Sequence, residues 1–162
     1  MEDIGKLKWV ITQNIDNLHK KCGNKNVLEL HGNATKFKCS IECGETYSYE
    51  NFIEMLNKED KPMCKCGFAC IRPDVVLFDE ALNDEVFDKA YYEVKLCDLL
   101  IAIGSSLVVA PANSLLNEIN RNCKLVIINK DKTPFDNKAD LVIRENCGEV
   151  LELAMKELNI CL

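Results

Sequence analysis

The chain has 162 residues, 48% of them hydrophobic, which is enough for one compact domain with a sizeable core and a small insertion. Its formal net charge of -6 gives no basic footprint for nucleic acid, although it could attract a basic protein segment. No apolar run reaches the roughly 18 residues that a membrane span requires, and residues 1 to 25 contain no secretion-signal pattern. We therefore expect an intracellular protein, cytoplasmic or nuclear, without nucleic acid or membrane partners.

Two short strands are predicted first along the chain. KWVIT has the pattern of a buried strand, and VLELHG predicts another that ends at Gly32. The composition then changes from Phe37 to Arg72, where five cysteines surround the segment YENFIEMLNKED. Apolar residues of that segment have helical spacing. Residues 37–72 are therefore predicted to form an inserted module.

The strand pattern resumes at DVVLF and alternates with helical segments. NDEVFDKAYYEVKLC has a helical period, with Asn83 as a candidate N-cap. LLIAIGSSL and KLVIIN predict strands on either side of a helix, PANSLLNEINRN, that starts near Pro111. Because these runs do not alternate, we expect a βαβ unit over residues 99–129 whose parallel strands are covered on both faces. DLVI and GEVLELAMKELN add a strand and a closing helix. The predicted fold is α/β, a doubly wound, Rossmann-like parallel sheet formed by residues 1–36 and 73–162.

The cysteines favour a metal site over disulfides, since the chain shows no export signal and they are unevenly clustered. Two pairs stand on either side of the predicted module helix and could converge on one tetrahedral ion. Zinc is the natural occupant of four thiolates. The alternative is that these cysteines are unbonded residues of a packed core. Five cysteines flanked by charged residues within so short a segment make that alternative less favourable. The expected ligands are Cys39, Cys43, Cys64 and Cys66.

The spacing of these pairs is irregular, because neither is the usual C-x2-C, and Cys70 could replace Cys66. Four further cysteines lie in or beside apolar segments and are expected to be packing residues. These are Cys22, Cys97, Cys123 and Cys161.

Polar residues stand after the predicted strands, where ligands of parallel sheets bind. GSS offers hydroxyl and N–H groups suited to phosphate or ribose. A histidine at such a position can act as a general base, but a lone histidine is more often structural, and that explanation is better supported for His19. Asn14 and Asp16 could equally cap a helix. The residues expected to share one edge are Gln13, Asn14, Asp16, His31, Gly104, Ser105, Ser106, Asn129 and Lys130.

Taken together, several motifs resemble the sirtuins, the NAD-dependent protein deacylases, from about Trp9 to Leu158. They are TQNIDNLH, ELHGN, the paired cysteines, RPDVVLFDE, GSSLVVAPAN, VIINKDKTPFDNKADLVI and GEVLEL, in that order. The resemblance implies that the carbonyl oxygen of an acyl-lysine substrate displaces nicotinamide from NAD. The implied products are free lysine, nicotinamide and O-acyl-ADP-ribose.

The same resemblance assigns roles to individual residues. His31 would be the general base that activates a ribose hydroxyl, and Asn14 and Asp16 would line the nicotinamide pocket with Gln13 on the ribose. An amide and a carboxylate can recognise a carboxamide. Gly104, Ser105 and Ser106 would hold phosphate and adenine ribose, Asn129 and Lys130 would flank the adenosine, and Cys147 would lie against adenine. Val76 and Phe78 would form the tunnel wall and the edge to which the peptide adds as a strand, and the zinc would be structural.

The sequence also departs from the family pattern. The glycine-rich strand-to-helix turn expected upstream of TQNID is not found, so the sheet is expected to be incomplete at its N-terminal side. A fragment, a catalytically inactive zinc-stabilised module that binds a peptide or protein, and a subunit completed by another chain are all compatible with this. Mono-ADP-ribosyl transfer would use the same pocket. Asp79 stands where the family usually has glycine, which could change the peptide edge and favour basic substrates.

Overall fold

The computed structural model describes residues 1–58 and 61–158. Lys8–Phe87 form one compact unit, called the first unit below. Met1–Leu7 and the described residues of Asp88–Leu162 form the second unit. Every helix within these described residues is too short or too polar to cross a bilayer.

The first unit begins with the two predicted strands. β1 (Val10–Thr12) and β2 (Val27–Glu29) pair in parallel, with Val10 opposite Val27. Parallel neighbours need a crossover rather than a tight turn. Here the crossover contains the short helix α1 (Leu18–Lys21). The segment TQNIDNLH therefore starts where β1 ends and runs into this helix.

An antiparallel sheet of three strands completes the first unit, in the order β4-β3-β5. Its strands are β3 (Gly32–Cys39), β4 (Thr46–Ser48) and β5 (Ile71–Val75). Helix α2 (Tyr49–Leu56) starts where the Ser48 hydroxyl accepts a hydrogen bond from the Asn51 N–H at 3.2 Å. Phe37 of β3 stacks on Phe52 of α2 with ring centroids 4.0 Å apart. The predicted module helix is thus confirmed, whereas DVVLF lies only partly in β5 and pairs antiparallel.

The second unit contains part of the predicted parallel sheet, as a sheet of its own, because β1 and β2 of the first unit pair only with each other within the described residues. The strands β6 (Leu99–Ile103), β7 (Lys124–Ile128) and β8 (Leu141–Ile143) lie in that order and are all parallel. Before them runs α3 (Asp84–Leu96), where the Asn83 side chain accepts a hydrogen bond from the Val86 N–H at 3.0 Å, as expected of an N-cap. The helix α4 (Cys147–Glu157) follows β8. The core of this sheet is built on Leu107, Leu125, Ile127 and Phe135.

Two expectations about the βαβ unit were wrong. PANSLLNEINRN contains only a 3-10 helix, Ala112–Asn117. The Asn120 side chain instead donates to the carbonyls of Lys95 at 3.0 Å and Cys97 at 2.8 Å, and such side-chain bonds to backbone compete with helix formation. The strand β6 is also not covered on both faces, since Leu99 and Ile103 are 48% and 39% exposed. β6 is an edge strand of its sheet, and no described residue covers the face that carries Leu99, Ile101 and Ile103.

Candidate functional site

A pocket of about 510 Å³ lies in the first unit, at the ends of β1, β2 and β5. It brings together the polar residues that follow the first two predicted strands. His19 lies in α1 and does not line this pocket. The lining residues are Gln13, Asn14, Ile15, Asp16, His31, Val75, Val76 and Leu77.

His31 is held in one orientation by backbone groups. Its Nδ1 lies 3.1 Å from the carbonyl oxygen of Gln13. A carbonyl oxygen can only accept a hydrogen bond, so in the neutral ring Nδ1 carries the proton and Nε2 keeps its lone pair. The His31 carbonyl in turn accepts from the Val76 N–H at 3.0 Å. The imidazole is therefore oriented with Nε2 available to accept a proton.

The position of His31 depends on the next residue, Gly32. Gly32 has φ +76, and a Cβ added there would lie 2.1 Å from the Asp74 carbonyl oxygen and 3.0 Å from the Val75 Cα. No other residue type fits so close a backbone approach. Gly32 thus lets β3 approach β5 at the point where His31 and Val75 both line the pocket.

A buried polar network holds the other side of this turn. Asn33 is only 1% exposed, and its side chain donates to the Glu29 carboxylate at 2.6 Å and accepts from the Thr35 N–H at 2.8 Å. Glu29 also pairs with Lys20 at 2.6 Å. Buried polar groups that are fully paired fix a local structure strongly. Asn33 belongs to the motif ELHGN, and only that motif, not the chemistry of the residue, could have singled it out in the sequence.

Asp16 has the capping role that sequence reasoning left open, and it also lines the pocket. Its carboxylate accepts from the Leu18 N–H at 2.9 Å, at the start of α1. Asn14 is exposed, and its own N–H donates to the Thr12 hydroxyl at 3.0 Å. Ile15, which sequence reasoning missed, is an apolar residue in a polar segment and is 39% exposed. The sequence signal that could have identified Ile15 as a pocket residue is an apolar side chain within the polar segment TQNIDNLH.

The two residues expected to bind substrate are placed differently. Val76 lines the pocket, directly after β5. Phe78 is fully exposed and lies outside the strand. Asp79, next to it, has φ +68, a left-handed conformation that glycine adopts more easily. The backbone here has therefore kept the shape that favours glycine although the residue is aspartate.

The remaining predicted cofactor residues follow the strands of the second unit. Gly104, Ser105 and Ser106 come after β6, Asn129 and Lys130 come after β7, and Cys147 is the first residue of α4, after β8. These parallel strands are neighbours, so the residues that follow them lie at the same, carboxyl edge of this sheet. The Gly104 N–H donates to the Ile128 carbonyl at 2.9 Å, which ties the first of these loops to β7.

Arg144 organises the loop after β7, and sequence reasoning missed it. Its guanidinium donates to the carbonyls of Asn129 at 2.8 Å and Asp131 at 2.7 Å, and it also pairs with the Asp136 carboxylate. Hydrogen bonds from Thr133, together with the charge of Arg144, hold the pKa of Asp136 below its usual range. Because the planar guanidinium of Arg144 donates to several acceptors at once, it fixes the loop after β7.

The four expected cysteine ligands come together in the first unit. The sulfurs of Cys39, Cys43, Cys64 and Cys66 all lie within 4.8 Å of one another. Two of the separations are 3.7 Å, between Cys39 and Cys66, and 3.6 Å, between Cys43 and Cys64. A tetrahedral zinc with Zn–S bonds of about 2.3 Å places its sulfurs roughly 3.8 Å apart. The cluster could therefore hold a zinc ion.

Cys70 is not part of this group, since its sulfur donates to the Met63 sulfur at 3.7 Å. Tyr47 supports the cluster: its hydroxyl donates to the Cys64 sulfur at 3.2 Å and accepts from the Lys65 N–H at 2.9 Å. Burial raises the pKa of Cys64, but hydrogen bonds from Tyr47 and the Cys66 backbone outweigh it, so the net pKa is lowered. A backbone hydrogen bond with Glu45 lowers the pKa of Cys43, but hydrogen bonds with the neighbouring thiols and burial outweigh it and raise that pKa to about 12, so Cys64 is the thiol that most readily supplies a thiolate.

The other cysteines, which were expected to be packing residues, differ in their exposure. Cys123 is buried and Cys97 is half-buried, as packing residues should be, whereas Cys22 is exposed and the packing prediction for it was wrong. Cys22 closes the last turn of the short α1, where little packs against it. Cys161 lies outside the described residues.

These features define a class of protein: an α/β chain with polar ligand positions at the ends of parallel strands and a four-thiol cluster beside an antiparallel sheet. Residues 1–111 match the model of the Sir2 family. The chain therefore belongs to the Sir2 family.

Among its relatives, the NAD-dependent protein deacetylase 2 of Caldanaerobacter subterraneus subsp. tengcongensis is 50% identical over 153 residues, which are 93% of this chain and 59% of that protein. The NAD-dependent protein deacylase 2 of Archaeoglobus fulgidus is 42% identical over 98% of this chain and 63% of its own length. A solved structure described as "Sir2-p53 peptide-NAD+" superposes with a TM-score of 0.90 at 39% identity, over 99% of this chain and 67% of that one. The chain thus spans about three fifths of the length of these curated relatives.

Proposed function

We propose that this chain acts as an NAD-dependent protein lysine deacylase, which transfers the acyl group of an acyl-lysine to ADP-ribose and releases nicotinamide. The observation that carries the proposal is His31, whose Nδ1 is bonded to the Gln13 carbonyl so that Nε2 can accept a proton inside the pocket. The two relatives named above carry deacetylase and deacylase names, and one solved Sir2 structure is described with a peptide and NAD+.

Five residues of the pocket, together with Phe78 outside it, have roles in this proposal. NAD, when bound, supplies the ribose that accepts the acyl group and the nicotinamide that leaves. His31 Nε2 accepts the proton of a ribose hydroxyl, and the Gln13 carbonyl stabilises the imidazolium through Nδ1–H. Asn14 and Asp16 offer amide and carboxylate groups to the nicotinamide carboxamide, and Gln13 contacts the ribose. Val76 and Phe78 bind the acyl-lysine peptide beside β5.

In the second unit we assign contacts with the nucleotide to the residues that follow the carboxyl ends of β6, β7 and β8. Gly104, Ser105 and Ser106 bind phosphate and adenine ribose, Asn129 and Lys130 flank the adenosine, and Cys147 lies against adenine. Their common position at the carboxyl edge of the parallel sheet supports this assignment. Arg144 acts indirectly, by holding the loop that contains Asn129 and Lys130.

We further assign the four-thiol cluster to a structural zinc, because four protein sulfurs leave no open coordination position. Its ligands are Cys39, Cys43, Cys64 and Cys66. In this proposal residues 1–36 and 73–162 form the Rossmann-like nucleotide-binding domain and residues 37–72 the zinc module. A zinc ion binds these four cysteines only when they are reduced, and thiols remain reduced inside cells. The proposal therefore includes an intracellular location, cytoplasmic or nuclear.

The test is product analysis with the zinc-loaded 162-residue chain, an acetyl-lysine peptide and NAD. We expect deacetylated peptide, nicotinamide and O-acetyl-ADP-ribose by mass spectrometry. His31→Ala and His31→Asn should both abolish turnover, although asparagine can still donate to the Gln13 carbonyl, and His19→Ala should retain it. A peptide that gains ADP-ribose instead would favour ADP-ribosyl transfer. No calorimetric binding of NAD at millimolar concentration would favour a non-catalytic module that binds a peptide.

A further inference from the structure

Two cysteines of the second unit lie side by side without belonging to the zinc cluster. Cys97 follows the end of α3, and Cys123 directly precedes β7. Their sulfurs are 3.4 Å apart, although the residues are 26 positions apart in the sequence. A disulfide bond is about 2.05 Å long, so the sulfurs need to approach by about 1.4 Å to be joined.

The backbone around both thiols is fixed. The Asn120 side chain donates to the Cys97 carbonyl at 2.8 Å, and the Cys123 N–H donates to the Asn120 carbonyl at 3.0 Å. Asn120 thus bonds both cysteine residues through their main chains. Because the backbone is held at both ends, the two sulfurs stay close together, and small side-chain rotations are enough to bring them into bonding distance.

Solvent can reach both residues of the pair, since Cys97 is half-buried and Cys123, although buried, lines a cavity. Cys123 lines a cavity of about 330 Å³ together with Arg121, Lys124, Lys138 and Asp140. Of the ten residues that line this cavity, three are basic and one is acidic, and the acidic residue, Asp140, pairs with Lys124 at 2.7 Å. The lining therefore has more positive than negative groups, and such an excess attracts anionic reagents. Tripeptide disulfides that carry carboxylates, such as oxidised glutathione, have this chemistry.

We propose that Cys97 and Cys123 are a redox modification site, which oxidised glutathione converts to an intramolecular disulfide. The Cys123 thiolate attacks one glutathione sulfur, a mixed disulfide forms, and the first glutathione thiolate leaves. The Cys97 thiolate then attacks the Cys123 sulfur and releases the second glutathione thiolate. Two protein thiols are oxidised, one glutathione disulfide is reduced to two thiols, and the two protein protons pass to them.

The order of attack follows from the surroundings of the two sulfurs. Burial and the hydrogen bond with Cys123 raise the pKa of the Cys97 thiol. The Cys97 sulfur also donates to the Val94 carbonyl at 3.2 Å, which favours the protonated form. Cys97 is the more exposed of the two residues, but its raised pKa makes it the poorer first nucleophile. The Cys123 sulfur lies 3.5 Å from the Lys124 carbonyl, a longer contact, and Cys123 lines the cavity through which the reagent enters, so we assign the first attack to Cys123.

The product would connect the end of α3 to the start of β7 and enclose β6 in a covalent loop. Such a loop removes conformations from the unfolded chain, so oxidation should raise the melting temperature by about 5–10 °C. Dithiothreitol should reverse the shift. This consequence is independent of NAD, and its test does not depend on the proposed deacylase activity.

The test incubates the zinc-loaded chain with millimolar oxidised glutathione, blocks free thiols by alkylation in acid, and maps the peptides without reduction. We expect a crosslinked peptide pair containing Cys97 and Cys123 whose mass is two hydrogen atoms below the sum of the two reduced peptides, and the rise in melting temperature. Cys97→Ser and Cys123→Ser should each abolish the crosslink, whereas Cys22→Ser, at an exposed thiol, should keep it.

The crosslink is read in the unmodified chain, so the result stands even if a serine variant does not fold. The proposal is overturned if Cys97 and Cys123 are both recovered alkylated, or if the reaction stops at glutathione on Cys123. It is also overturned if either cysteine is recovered crosslinked only to another thiol of the chain.

Discussion

Gly32→Ala tests how the backbone places the pocket. An alanine Cβ at this position would lie 2.1 Å from the Asp74 carbonyl oxygen, far inside normal contact, and the residue would keep φ +76. Gly32 pairs with Val75 across β3 and β5. To relieve the clash, the two strands have to separate at the point where His31 and Val75 line the pocket.

The expected loss combines two costs. A residue with a Cβ in the left-handed region loses about 1–2 kcal/mol. Overpacking against a backbone that cannot move away adds about 1–3 kcal/mol. The free energy of unfolding of Gly32→Ala should therefore fall by about 2–5 kcal/mol, and its pocket should be disturbed even where the chain remains folded.

Gly23→Ala is the matched control. Gly23 has φ +96, yet nothing lies within 4 Å of the Cβ position, so this variant has the conformational cost alone. Urea unfolding of both zinc-loaded variants, compared with the unmodified chain, separates the clash from the dihedral angle. Equal losses for Gly32→Ala and Gly23→Ala would refute the argument that close approach of β3 and β5 requires glycine.

Three further predictions concern the cluster, a salt bridge and one turn. Tyr47→Phe removes the hydroxyl that donates to Cys64, and zinc affinity measured by chelator competition should fall about 10–100-fold; an unchanged affinity would show that the hydroxyl does not support the site. Asp136→Asn should lower stability at neutral pH, because the pKa of Asp136 is held below 3.8 by Thr133 and Arg144. That contribution is fully present above the ordinary pKa of 3.8 and is lost as the pH falls through the lowered pKa, so the stability difference between variant and unmodified chain should begin to narrow near pH 3.8 and close only below the lowered pKa; a difference that does not narrow as the pH falls would contradict this cause. Asp79→Gly should be more stable than Asp79→Ala by about 1 kcal/mol in urea unfolding, since φ is +68 there; equal stabilities would contradict a strained turn.

Features that depend on neighbouring residues in the sequence were predictable. The Asn83 cap, the module helix α2 and the strands of the parallel sheet follow from local spacing and residue type. The cysteine pairs also converge as their positions on two loops indicated, in spite of irregular spacing. The convergence of His31 with Asn14 and Asp16 followed from the rule that parallel strands end at one edge.

Features that depend on distant partners were not predictable. Nothing near Gly32 in the sequence indicates that its Cβ position is occupied by the Asp74 carbonyl. Arg144 resembles any charged residue until the loop carbonyls of Asn129 and Asp131 are placed against it. The side chain of Asn120 likewise finds its carbonyl acceptors 23 and 25 positions away, which is why the predicted helix before it is short.

The central claim, that His31 lies in the NAD pocket with Nε2 free to act as base, can be measured directly. The chain has two histidines, so 15N-histidine labelling gives two sets of ring signals. During an NAD titration we expect His31 to show the Nδ1–H tautomer and to shift in a saturable manner, while His19 stays unchanged. Signals of His31 that report the Nε2–H tautomer, or that do not move at millimolar NAD, would contradict the account.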